Sequence, residues 1–107
     1  MLERDIERKL RDGIRGRIPK AKCLKLVTPG FTGIPDRMIL LPGASVVFVE
    51  LKRPGKMERQ RQLFVQSELR KMGFTVFSAV DSPEKVQGVI DYCWRVYSVC
   101  DEREGEK

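Results

Sequence analysis

The sequence predicts a single α/β domain in which helices flank a small mixed sheet. Two observations point to this class. Residues 46–52 are strongly apolar and rich in β-branched side chains, a pattern typical of a strand buried on both faces. Segments with helical apolar spacing alternate with such strands, and Gly/Pro clusters separate them. A chain of 107 residues allows one domain with a modest core.

The first half of the chain is predicted to form one helix and three strands. Leu2, Ile6 and Leu10 recur at four-residue spacing, which is typical of an amphipathic helix over 1–13. The predicted strands are 22–28, 37–41 and 46–52. The short, turn-forming segment 42–45 makes the last two of them a hairpin.

The second half is predicted to add two helices around one strand. The expected elements are a helix at 57–72, a strand at 74–80 and a helix at about 83–97. The fourth strand should run parallel to the third, because a helical crossover joins them. Ser82 is the expected N-cap of the last helix. The side chains predicted to face the sheet are Gln62, Val65, Leu69 and Met72, then Val86, Val89, Ile90, Cys93, Trp94 and Tyr97. The resulting order is αβββαβα.

Composition limits the possible chemistry. Histidine is absent, which excludes Ser-His-Asp and Cys-His catalysis and His-ligated zinc. The net charge of +6 favours a polyanionic partner. Cys23, Cys93 and Cys100 form no C-x-x-C pair, so we expect free or buried thiols in a reducing compartment. With no apolar run long enough for a membrane span, the expected location is cytoplasmic. The domain is predicted to cover 1–100, followed by a charged flexible tail at 101–107.

Charged side chains lie at the predicted start of one central strand and the end of the next. Glu50 and Lys52 are two positions apart, so they project from the same face of the sheet. Asp36 follows a loop rich in Gly and Pro and opens the neighbouring strand. Buried charge is costly unless it is paired, and a hard cation is the natural partner for two carboxylates. This pattern predicts a carboxylate–carboxylate–lysine site.

The motif resembles that of a known nuclease family. Gly33-x-Pro35-Asp36, thirteen intervening residues and then Glu50-x-Lys52 is similar to the PD-(D/E)XK motif. The flanking residues, Thr32 to Arg37 and Val49 to Gly55, resemble the VRR-NUC branch, particularly its minimal stand-alone phage and bacterial members. The resemblance spans about residues 1–82 and implies a restriction-endonuclease-like αβββαβ core with a central mixed sheet.

The resemblance also implies roles for individual residues. Asp36 and Glu50, with the Leu51 carbonyl, would bind Mg²⁺ or Mn²⁺. Lys52 would orient or deprotonate the attacking water, or stabilise the developing charge. The family places a glutamate on the first helix and a glutamine on the helix after the motif. The favoured candidates are Glu3 and Gln62, and their competitors are Glu7 and Gln66.

Further side chains are candidate DNA contacts. The expected phosphate contacts are Arg4, Arg8, Arg11, Lys22, Arg53 and Lys56. Phe31 is expected to fill the core, with a wedge on a branched DNA surface as the alternative. Trp94 is expected in the core.

The leading hypothesis is an Mg²⁺- or Mn²⁺-dependent endodeoxyribonuclease that is structure-selective. By the resemblance, it would be a homodimer that cleaves branched DNA such as four-way (Holliday) junctions, with two active sites for two strands. One alternative is a non-catalytic nucleic-acid-binding module of the same fold. Another is a restriction-type nuclease subunit that needs a partner.

Overall fold

The computed structural model describes residues 2–105, with side chains up to Cys100. The elements follow the predicted order αβββαβα. They are α1 (Glu3–Arg17), β1 (Lys22–Lys25), β2 (Arg37–Leu41), β3 (Ser45–Leu51), α2 (Gln60–Lys71), β4 (Thr75–Val80) and α3 (Pro83–Gly105). No helix within 2–105 is long and apolar enough to cross a membrane.

The four strands form one mixed sheet in the order β1-β2-β3-β4. The β1–β2 and β2–β3 pairs are antiparallel, and the β3–β4 pair is parallel. The predicted hairpin between β2 and β3 is confirmed. Its three-residue loop has positive φ at Gly43 (91°) and Ala44 (65°), the left-handed conformation that such tight connections use. The chain then crosses over through α2, which makes β4 parallel to β3.

Helices cover both faces of the sheet, as predicted. Alternate residues of β3 supply the two sides: Val47, Val49 and Leu51 join the core under α1 and α3, whereas Phe48 joins a smaller cluster under α2. The α1/α3 side also contains Ile6, Leu10, Ile14, Ile18, Ala21, Ile39, Leu41, Val80, Val86, Val89, Ile90 and Cys93. The α2 side contains Val65, Leu69 and Val76.

Several element boundaries differ from the predictions. Helix α1 continues past Gly13 to Arg17 because the glycine permits close packing: a Cβ at Gly13 would collide with the Ile90 side chain of α3. Helix α3 extends to Gly105, beyond the expected end near 97. Strand β1 stops at Lys25, three residues early, and α2 begins at Gln60 instead of 57. Side chains of 101–107 lie outside the described part, so the flexible tail stays a prediction.

Three apolar side chains expected inside are exposed. Met72 is 69% exposed because α2 ends at Lys71 and Met72 lies at its C-cap, beyond the face that packs on the sheet. Trp94 is 37% exposed and lies against the Arg17 guanidinium, 4.9 Å from its centre. Phe31 is 49% exposed, so the prediction that it fills the core is wrong. The free-thiol prediction is confirmed for all three cysteines.

Candidate active site at the end of the central strand

The end of β3 carries buried charge. Glu50 follows the α2-side alternation of its strand and is only 4% exposed. Its Oε2 lies 3.9 Å from Lys52 Nζ. The Lys52 backbone N–H donates to the Val80 carbonyl at 2.9 Å, which fixes this end of β3 against β4. The two side chains therefore share one face, as their spacing predicts.

Asp36 is held against the same strand end. Its Oδ1 accepts a hydrogen bond from the Leu51 backbone N–H at 3.1 Å. Its Oδ2 lies 3.7 Å from Arg37 Nη1, and that nitrogen also donates to the Asp36 carbonyl at 2.9 Å. The structure thus brings together the Asp36 and Glu50 carboxylates, which are fourteen positions apart in the sequence.

The electrostatics of the two carboxylates are unfavourable without a cation. Burial raises the pKa of Glu50 from its ordinary value of 4.5 to about 7, and the nearby charge of Asp36 adds to this rise. The Lys52 charge acts in the opposite direction. Burial likewise raises the pKa of Asp36, against the hydrogen bond from Leu51 and the charge of Arg37. Ionising either carboxylate therefore costs free energy. A bound cation would offset this cost.

Gln62 holds the lysine in place. Its Oε1 accepts hydrogen bonds from Lys52 Nζ at 3.0 Å and from the Arg59 backbone N–H at 2.9 Å. The second bond satisfies a free N–H at the start of α2, so one amide caps the helix and positions the lysine. The competitor, Gln66, is fully buried one turn further along the helix and does not contact Lys52.

Of the two glutamates on α1, Glu3 lies closer to this centre. It borders one cleft with Asp36 and another with Lys52, Arg53 and Lys56. Its charge raises the pKa of both Asp36 and Glu50.

Glu7 also borders the Asp36 cleft, but it pairs with Arg11 at 3.6 Å. The choice of Glu3 over Glu7 stays a prediction that this geometry supports.

One acidic residue of the site escaped the sequence analysis. Glu58 Oε1 accepts hydrogen bonds from the Ala79 backbone N–H at 2.8 Å and from Gln66 Nε2 at 3.2 Å. Its charge also raises the pKa of Glu50. Ala79 has a left-handed φ of 53° where the β3–β4 register shifts, so its N–H leaves the ladder and needs an acceptor. No pattern in the sequence signals that bulge.

The predicted phosphate contacts fall into two groups. Arg4, Arg53 and Lys56 border the clefts that contain Glu3, Asp36 and Lys52. Arg11 and Lys22 border a different cleft beside β1, and Arg8 is an exposed residue of α1. The structure therefore places only the first group at the candidate site.

The residues present fit a hard divalent cation. Asp36 and Glu50 supply two oxygen-bearing side chains, and within 2–105 no hydrogen-bond donor reaches the Glu50 carboxylate. In the same described region, no three His, Cys, Asp or Glu side chains form a complete metal site. Two carboxylates completed by a backbone carbonyl and waters are a donor set that Mg²⁺ accepts.

Comparison with known proteins identifies a structural relative. No family model matches the chain. A solved structure described as a VRR-NUC domain superposes with a TM-score of 0.73 at 26% identity, covering 83% of this chain and 94% of that one. The fold of this chain is therefore that of a VRR-NUC domain. This confirms both the resemblance and the predicted restriction-endonuclease-like core.

A sequence relative carries a nuclease name. Over 52 residues the chain is 40% identical to the protein named "Putative nuclease p44" of Acyrthosiphon pisum secondary endosymbiont phage 1. The match covers 49% of this chain and 56% of that protein, so it spans little more than half of the relative's length.

Proposed function

We propose that this VRR-NUC domain is a divalent-cation-dependent DNA endonuclease that hydrolyses phosphodiester bonds. The observation that carries the proposal is the convergence of Asp36, Glu50 and Lys52 at one strand end. The Asp36 carboxylate accepts a hydrogen bond from the Leu51 N–H, and Lys52 Nζ lies 3.9 Å from Glu50 Oε2. Buried groups with perturbed pKa values beside a cleft are typical of catalytic sites.

Asp36 and Glu50, with the Leu51 carbonyl, would hold Mg²⁺ or Mn²⁺. When bound, this cation would lower the pKa of a coordinated water and offset the negative charge that develops on the phosphate. Asp36 is kept in place for this role by the Leu51 N–H. Glu50 must be ionised to bind a cation, and its raised pKa of about 7 makes this proton loss pH-dependent near neutrality.

Lys52 would act directly on the reacting groups. One of the three N–H groups of the Lys52 ammonium donates a hydrogen bond to Gln62. The other two would orient the attacking water and donate to a phosphate oxygen. Attack of the water oxygen on phosphorus with loss of the 3′ oxygen gives a 5′-phosphate and a 3′-hydroxyl. Glu3, in the first turn of α1, would act from the cleft that it shares with Asp36.

The proposed substrate is branched duplex DNA such as a four-way (Holliday) junction, cleaved by a homodimer. Basic side chains at the candidate site support a phosphate-rich ligand: Arg4, Arg53 and Lys56 are all exposed there. A two-fold dimer would present two active sites to two strands of a symmetric junction.

A cleavage assay tests the proposal. The purified protein is incubated with labelled four-way junction, flap and linear duplex DNA in Mg²⁺, Mn²⁺ or EDTA. Asp36→Asn removes a proposed cation ligand, and Asp91→Asn makes the same change on the surface of α3. We expect paired, cation-dependent nicks in the junction from the parent chain and Asp91→Asn, and none from Asp36→Asn.

Other outcomes discriminate among the hypotheses. Binding without cleavage, unchanged in Asp36→Asn, would contradict the enzyme and favour a binding module. Cleavage of all three DNAs at equal rates would support the nuclease activity and contradict selectivity for branched DNA. Gel filtration of the same sample tests the dimer.

A further inference from the structure

A cluster of two phenylalanines and an arginine lies on the surface beside the candidate site. The Arg61 guanidinium lies over the Phe31 ring at 5.1 Å and over the Phe64 ring at 5.7 Å. Phe31 is 49% exposed and Phe64 is 57% exposed, so both rings present open surface to solvent. Two exposed rings that share one guanidinium form an apolar patch, and exposed apolar patches mark interaction sites. We refer to these three residues as the aromatic–arginine cluster.

The cluster is built on a rigid frame. Phe31 closes a tight turn in which its N–H donates to the Thr28 carbonyl at 3.1 Å and Thr28 Oγ1 donates to the Phe31 carbonyl at 2.9 Å. Gly30 supplies the positive φ of 81° that this Pro-Gly turn needs. Arg61 Nε donates to the Thr32 carbonyl at 3.1 Å, which ties the loop to α2.

Gly33 brings the loop and helix into close contact. A Cβ at this position would lie 2.9 Å from both the Arg61 carbonyl oxygen and its Cγ, and the residue has a φ of 90°. Any other residue would push the loop away from α2. The rings are therefore presented in fixed positions, which lowers the entropy cost of binding a ligand to them.

The cluster is connected to the candidate site along the chain. Its loop leads within three residues from Gly33 to Asp36, and Arg61 directly precedes Gln62, the residue that holds Lys52. Arg59, the N-cap residue of the same helix, borders the cleft that contains Lys52. Both the loop and the helix that carry the cluster therefore also carry residues of the candidate site.

The charge of the cluster selects the partner. No acidic side chain within the described residues pairs with Arg61, and only its Nε is used by the protein, so its terminal N–H groups are available for a phosphate. The other aromatic–arginine contact, between Trp94 and Arg17, differs because Arg17 also pairs with Asp91 at 3.5 Å. An uncompensated positive charge between two open rings suits a nucleic acid strand better than a second protein.

We propose that the aromatic–arginine cluster is a stacking platform for a nucleotide base that is unpaired next to the cleavage point. Aromatic and guanidinium faces are the surfaces on which proteins stack unpaired bases, whereas bases within a continuous duplex are not accessible to them. The proposal rests on the proposed nuclease function and deepens it: the platform would make the enzyme prefer branch points and gaps to uninterrupted duplex.

Base stacking is measured with a fluorescent base. A branched DNA with one unpaired nucleotide at its branch point carries 2-aminopurine at that position, and binding is followed in the cleavage-deficient Asp36→Asn chain. We expect binding to quench the fluorescence. Adding Phe31→Ala or Phe64→Ala should remove the quenching and weaken binding to this DNA about tenfold. Affinity for linear duplex should stay unchanged.

Matched variants keep the test specific. Phe31→Tyr preserves the ring and should restore quenching, whereas Phe31→Leu preserves apolar bulk only and should not. Trp94→Ala removes the other exposed aromatic–arginine contact and should leave quenching intact. Equal losses on branched and linear DNA, or unchanged quenching in Phe31→Ala, would overturn the platform. A change of oligomeric state in Phe31→Ala with unchanged quenching would identify a protein contact instead and also overturn it.

The proposals of a stacking platform and of nuclease activity can be contradicted independently. Quenching needs only bound DNA, so it is informative even if the parent chain cleaves nothing. Conversely, if the parent chain cleaves junctions and Phe31→Ala cleaves them with the same preference over linear duplex, the nuclease stands and the platform does not.

Discussion

The two faces of the sheet differ in what they bury. Under α1 and α3 the core is continuous and apolar, and side chains such as Ile6, Leu10 and Ile39 are fully buried. Under α2 the apolar cluster is small and leads directly to Glu50 and Gln66, the two buried polar residues of the described chain. The first face supplies most of the apolar stabilisation, whereas the second also buries polar groups, which costs stability.

One strand serves both faces. Successive residues of β3 alternate between them, so Val49 and Leu51 secure the strand in the apolar core while Glu50 is held rigidly on the other side. A rigid strand keeps catalytic groups in fixed positions better than a loop does. The difference between the faces can be tested by changing one at a time.

We expect the largest effect on the cleavage rate, from a substitution on the α2 face of the sheet. Glu50→Gln keeps the shape of the side chain but removes the charge that would bind a cation. A loss of several kcal/mol of transition-state stabilisation corresponds to a cleavage rate lowered about 1,000-fold. Single-turnover cleavage of junction DNA in Mg²⁺ measures it. A rate within threefold of the parent would remove Glu50 from the site.

We expect the next largest effect on the free energy of unfolding, from a substitution on the α1/α3 face of the sheet. Leu10→Ala leaves a cavity in a fully buried position and should lower the free energy of unfolding by about 4 kcal/mol. Leu69→Ala, at the partly open cluster under α2, should cost about half as much, roughly 2 kcal/mol. Urea denaturation compares the two variants. Equal losses would mean that both faces contribute equally to stability.

A pH-dependent effect on stability is expected from Glu50. Its pKa is raised in the folded state from 4.5 to about 7, so the folded protein holds this proton more tightly than the unfolded chain does. The stability that this provides is fully present below pH 4.5 and is lost as the pH rises through about 7. From pH 4.5 to 8 the loss is roughly 3 kcal/mol.

Glu50→Gln removes this dependence. In EDTA, the variant should match the parent near pH 4.5 and be the more stable of the two at pH 8, as followed by urea denaturation at each pH. A stability difference that does not change with pH would contradict the raised pKa.

The smallest of these effects concerns Gln62. Gln62→Ala removes the hydrogen-bond acceptor that holds Lys52 Nζ and should lower the cleavage rate about tenfold, as losses of supporting partners do. It also removes the cap on the Arg59 N–H, which should cost about 1 kcal/mol of stability. Gln62→Glu retains an oxygen that can accept both hydrogen bonds and should recover stability. A rate unchanged in Gln62→Ala would show that Lys52 does not need this support.

The sequence was most informative where strand periodicity and motif spacing act locally. The bounds of β2, the hairpin, the parallel β4 and the meeting of Asp36 with Glu50 were all predictable, because strand alternation fixes which side chains share a face. The role of Ser82 was also predictable: its Oγ accepts the Lys85 N–H at 3.2 Å, as an N-cap does.

Features that depend on tertiary packing were not predictable. Gly13 was interpreted as a helix end, but it marks the place where α1 packs closely against Ile90. Glu58 was missed because its N–H partner exists only through the bulge at Ala79. Phe31 and Trp94 were assigned to the core because hydrophobicity does not show which side of an element remains uncovered.

We propose that the buried charges under α2 are retained for a divalent cation. Electron paramagnetic resonance of Mn²⁺ tests it directly, because bound and free Mn²⁺ give different signals. Titration at pH 8 should show Mn²⁺ binding to the parent chain, and this binding should be lost in Asp36→Asn and kept in the surface control Asp91→Asn. A parent chain that binds no Mn²⁺, or binding that survives in Asp36→Asn, would contradict the claim.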